Sequence, residues 1–148
     1  MPRVMSTILV IVMGAGCGAN VTDTGGPPNT TTSDTRSRCV AVRRGVLHAI
    51  ASGLTVQGGS LSKGAAVKSE DFEKVWFVAA EIDGAGGLEG TGEIGVWATN
   101  ADPSRGPSGS IFSVDGFAKE FSDWGDGSTT DATLSMSDDG AQEAVECL

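Results

Sequence analysis

A chain of 148 residues is enough for about one domain, and its 19 acidic residues against 10 basic ones leave a net charge of −9. That charge repels phosphate backbones and anionic lipid, which argues against nucleic-acid binding and polybasic membrane docking. An apolar fraction of 39% with 22 Gly and no Tyr predicts a foldable core with generous turns rather than a disordered chain.

Arg3 is the one early charge, and it precedes an apolar run over residues 8–13 followed by Gly14, Ala15, Gly16 and Cys17. The run is too short to cross a bilayer as a helix, and a basic start, apolar centre and small-residue end are the parts of an export signal. Residues 1–16 are therefore expected to be a signal segment. Gly16 and Cys17 resemble the bacterial lipoprotein signal, with Gly14 standing where that class carries a large aliphatic residue; the resemblance is confined to the first 17 residues. It implies cleavage before Cys17 and lipid attachment to its sulfur, with the membrane reached through that anchor alone. Cleavage after a small residue such as Ala19, which would give a secreted protein, and an uncleaved anchor are the alternatives. Residues 17–37, rich in Thr, Gly, Pro, Asn and Asp, read as a flexible tether with a root-mean-square span of roughly 25 Å.

The remaining 38–148 segment is expected to be a single globular domain. Once Cys17 is set aside, Cys39 and Cys147 stand at its two ends, and a disulfide between them is the expectation, two separate buried thiols the alternative. With no Cys-x-x-Cys pair and His48 as the lone imidazole, a thiolate metal site is disfavoured.

Along the domain, Cys39, Val42, Val46, Ile50 and Leu54 recur every three or four residues, predicting a first helix that Ser37 caps and Gly53 ends. Gly45 inside it weakens it by about 1 kcal/mol relative to Ala. Strand-length apolar segments follow at 61–69, 75–83, 93–100 and 110–114, separated by short turns that favour an antiparallel meander. Asp115 is placed to cap a short helix bearing Phe117, Phe121 and Trp124. A strand near 132–136 and a last helix, opened by Ser137, Asp138 or Asp139 and carrying Ala141, Ala144, Val145 and Leu148, complete the chain. The expected class is α+β: an antiparallel sheet of four to five strands, with the N- and C-terminal helices packed together on one face.

Gly90, Gly92 and Gly95 match a dinucleotide fingerprint, but the residues after them read as a strand, so no helix N-terminus awaits a pyrophosphate. No cofactor is expected. Asp123, Asp126 and Asp131 are weak calcium candidates, because the ligand places before Gly127 hold Ser122, Trp124 and Asp126 rather than the alternating acids of an EF-hand; a solvated turn explains them better. His48 lacks a nucleophile in a recognisable context, and no catalytic residue is assigned. Glu81, Asp83, Glu89 and Glu93, around the central hairpin, are the candidate carboxylates for a glycoside hydrolase, although at strand ends and turns such charges are simply solvated.

In the 75–83 segment Val75, Phe77 and Ala79 alternate with Trp76, Val78, Ala80 and Ile82, so neither face is polar over the first half. Such a strand is either covered twice or exposes a recognition surface, for which Trp76, Trp97 and Trp124 are the candidates. The reading is an envelope-anchored or secreted, non-enzymatic binding module with a protein or small-molecule partner of basic character. A small extracellular hydrolase using acidic residues, and an inhibitor or exclusion factor acting on another envelope protein, are the alternatives.

Overall fold

In a computed structural model of the chain, residues 37–84, 92–106 and 109–148 are described. The signal, Cys17, the tether up to residue 36, and Glu89 and Gly90 lie outside them. The elements run β1 (Val40–Ala41), α1 (Arg44–Ala51), β2 (Ser60–Lys68), β3 (Trp76–Asp83), β4 (Ile94–Thr99), β5 (Ile111–Ser113), α2 (Gly116–Phe121), β6 (Gly125–Asp126), a 3-10 turn (Gly127–Thr129) and α3 (Ala141–Glu146).

The fold is α+β. Six strands among the described residues form one sheet in the order β1-β2-β3-β4-β5-β6, one more than the largest number expected. β1 to β5 pair antiparallel and β5 with β6 parallel, through Phe112 opposite Gly125 and Ser113 opposite Asp126. β2 carries one extra residue between its pairs Ser62 with Glu81 and Ala65 with Ala79. Lys63 takes up that bulge at φ 48° and reaches Glu81 at 2.7 Å. At the next position a Cβ on Gly64 would meet Leu47 and Val42, so glycine lets the helix layer close onto the sheet.

Both faces of β3 are covered. On one, Val78, Ala80 and Ile82 pack with Trp97, Ile111, Val46 and Ile50 of α1, and Ala118 of α2. On the other, Phe77 and Ala79 pack with Val67, Val96, Ala98, Leu134, and Ala141 and Ala144 of α3. The first and last helices therefore sit on opposite faces, not together on one. The physical reason is the doubly apolar β3: a sheet helixed on one side only would leave Phe77, Val96 and Ala98 in water.

Three local expectations are also corrected. Val40 and Ala41 pair with Ala66 and Ala65 as an edge strand, so the helix starts at Arg44 and stops at Ala51. Residues 132–136 form no strand; Leu134 is drawn into the core by a turn in which its N–H donates to the Gly127 carbonyl at 2.9 Å. The last helix begins at Ala141 after Gly140, whose φ of 90° is left-handed and open to glycine without strain. Asp138 instead accepts from the Ser135 N–H at 2.7 Å.

Candidate functional site

Cys39 and Cys147 are joined, with their Cα atoms 5.7 Å apart across a separation of 108 residues. The bridge ties the edge of β1 to the end of α3. Beside it Arg38 is held by four further contacts: an approach of Nε to Glu70 Oε1 at 3.9 Å, a paired approach to Asp139 (Nη1 to Oδ1 3.1 Å, Nη2 to Oδ2 2.6 Å), a bond from Nη2 to the Lys68 carbonyl, and an approach of Nη1 to Glu143 Oε2 at 2.7 Å. The last is an ion pair without hydrogen-bond alignment, and Oε2 has no other partner among the described residues. Asp139 also accepts from the Glu70 N–H and donates its own N–H to Asp71. Its carboxyl is held below the ordinary carboxylate value, first by the Arg38 hydrogen bond.

The three tryptophans separate sharply. Trp97 is fully buried and donates from Nε1 to Ser122 Oγ at 3.2 Å, so it is core and not binding surface. A Cβ on Gly95 would run into the Trp97 ring; this glycine of the apparent dinucleotide fingerprint makes room for an indole, within a strand as expected. Trp124 is half-buried and donates from Nε1 to the Ile50 carbonyl at 2.8 Å, with a Cβ on Gly53 only 2.5 Å from that nitrogen. It clamps the end of α1 onto the 121–124 segment, where the Asp123 N–H also donates to the Gly53 carbonyl.

Trp76 opens onto a groove. The groove, about 410 Å³, is lined by Trp76, Val40, Lys68, Arg38, Glu70 and Glu73, with Ser69 between. Its geometry follows from register: Lys68 lies opposite Trp76, so the hairpin joining β2 to β3 turns at that end and carries Glu70 and Glu73 to the indole. Of the lining side chains Glu70 and Glu73 are acidic and Arg38 and Lys68 basic; Arg38 is already engaged by Asp139 and Glu143 and approaches Glu70 at 3.9 Å. With Arg38 so engaged, an indole beside Glu70 and Glu73 is suited to hold a cation over the ring face. The sequence pattern singles out Trp76 but not Glu70 and Glu73; the signal was present, since a short turn after Lys68 must return them to the start of the next strand.

The other expected acids are engaged locally. Asp126 caps the 3-10 turn through the Ser128 N–H and meets Lys119 at 2.8 Å, which with Ser128 pulls its pKa down to about 2. Asp123 and Asp131 are exposed, and no group of three or more His, Cys, Asp or Glu among the described residues is arranged to hold a metal. Glu81 pairs with Lys63 and Asp83 accepts from Ser62 Oγ at 2.6 Å. His48 lies exposed on α1, and Ser52, one turn on, donates its hydroxyl to the Ala49 carbonyl. Asp115 caps α2 as expected, accepting from the Ala118 N–H at 2.9 Å, and the same oxygen accepts from Val96.

No protein-family model matches the chain, and neither does any curated protein or solved structure. No helix among the described residues is long and apolar enough to cross a membrane.

Proposed function

We propose that the chain is a non-enzymatic recognition module, displayed at the cell envelope by a lipid on Cys17 or else secreted, that binds a lysine- or arginine-rich segment of a partner protein in the groove beside Trp76. The observation that carries this reading is the placement of Trp76 against Glu70 and Glu73, while Trp97 and Trp124 use their N–H groups inside the fold. Charge complementarity favours the occupant: the chain carries a net charge of −9, and the groove sets Glu70 and Glu73 beside an aromatic face.

Display is expected to depend on the export signal. Changing Cys17 to Ala should release the protein from membranes on fractionation, and retention would point to an uncleaved apolar anchor. For the groove, a photo-crosslinking residue in place of Glu73 in living cells should capture a basic peptide of a partner, and Trp76→Ala should remove that capture at unchanged protein level. Equal capture from a crosslinker at Ser128, on the other edge of the sheet, would count against the groove.

A further inference from the structure

A second hollow lies elsewhere in the fold and is independent of the Trp76 reading. It is a recess of about 260 Å³ under the loop that follows the 3-10 turn, with Val75, Ala98, Phe112 and Leu134 forming its apolar walls and Thr130 and Asp131 among its polar lining. That volume falls just below the roughly 300 Å³ at which pockets begin to enclose drug-sized ligands, so it fits a molecule of one ring.

The recess is held in shape from below. The Thr133 N–H donates to the Thr130 carbonyl and the Leu134 N–H to the Gly127 carbonyl, both at 2.9 Å. Thr130 Oγ1 donates to the Gly127 carbonyl at 2.7 Å. A Cβ on Gly127 would stand 3.1 Å from Leu134 Cβ and 3.2 Å from the Ser113 carbonyl oxygen, so the turn lies tightly against β5. Thr133, a β-branched residue, is kept at φ 51°, a conformation that such residues adopt only when surroundings impose it. The walls are thus preformed, which lowers the ordering cost of binding.

The chemistry of the walls selects the ligand. Phe112 offers a ring for offset or edge-to-face contact, with Ala98, Val75 and Leu134 supplying apolar surface around it. Among the lining residues the one ionisable group is Asp131, exposed at the edge of the recess; no cationic side chain lines it. The Thr130 hydroxyl donates its hydrogen bond to the Gly127 carbonyl and retains acceptor capacity. Asn100 Oδ1 accepts from the Ser110 N–H at 2.9 Å, which holds that side of the mouth.

We infer that this recess is a binding site for a small aromatic ammonium, its ring against Phe112 and its cationic head at Asp131. The test titrates the full chain with phenethylammonium and follows backbone amides by NMR. Saturable shifts at Ala98, Phe112, Asp131 and Ala132 are expected. Asp131→Asn, at an exposed position, should weaken binding about two- to fivefold, and the neutral analogue phenylethanol should bind wild-type protein more weakly by a similar factor. Absence of saturable shifts, shifts confined to the residues around Trp76, or equal binding of the alcohol and the ammonium would each overturn the assignment.

Discussion

Arg38 and Asp139 meet edge to edge, guanidinium to carboxylate, at 3.1 and 2.6 Å, and they do so next to the bridge that joins Cys39 to Cys147. Covalent and ionic ties thus hold the same seam between the first strand and the last helix. The sign of the pH effect follows from Asp139. Its folded pKa is depressed, chiefly by the Arg38 hydrogen bond, so its contribution is fully present above the unfolded value near 3.9 and is lost as pH falls through the lower folded value. Asp139→Asn should be less stable than wild type by about 1 kcal/mol near neutrality. Urea unfolding of both proteins should show the gap closing as the pH is lowered beneath the ordinary carboxylate range; a gap that persists in strong acid would mean the carboxylate's charge is not the source.

The bridge closes nearly the whole domain into one ring. Replacing both Cys39 and Cys147 by Ser should cost about 2–5 kcal/mol of unfolding free energy in denaturant melts. In exported protein, alkylation without reductant should leave both cysteines unmodified.

Two glycines should respond in opposite directions to the same change. Gly45 is exposed in the first turn of α1 with open space around it, so Gly45→Ala should raise stability by up to about 1 kcal/mol. Gly95 is buried under the Trp97 ring, and Gly95→Ala should lower stability by about 1–3 kcal/mol. Thermal melts of the two variants would show the contrast.

Trp97 and Trp76 should separate stability from binding. Trp97→Phe removes volume from a fully buried site and takes away the indole donor to Ser122 Oγ, which also faces Ser113 Oγ at 3.1 Å; a loss of about 1–3 kcal/mol is expected. Trp76→Ala, at the rim of a groove, should change the denaturation midpoint far less.

The parts of this fold that were legible are those whose cause is local. Strands β2 to β5 fall within one or two residues of their apolar runs, Asp115 caps α2, and the paired cysteines bracket the domain. What was not legible depends on distant partners. Val40 and Ala41 fall within the three-and-four spacing of the helix that follows, yet pairing with Ala66 and Ala65 decides their conformation. β6 is two residues long and exists through its parallel pairing with Phe112 and Ser113. The doubly apolar β3 did announce two covered faces; assigning one helix to each needed only that consequence to be followed through. Among the tryptophans, Gly95 two residues before Trp97 on the same face was the available sign of a buried indole, whereas the acids around Trp76 become a site only once the hairpin register is known.

The groove is tested most directly by calorimetric titration of the full chain with a short lysine-rich peptide. Wild type and Trp124→Phe should bind alike. Trp76→Ala and the pair Glu70→Gln with Glu73→Gln should each weaken binding about tenfold, the equivalent of removing one charge-assisted hydrogen bond or cation–π interaction. Undiminished binding by Trp76→Ala, with the fold intact, would contradict recognition at this groove.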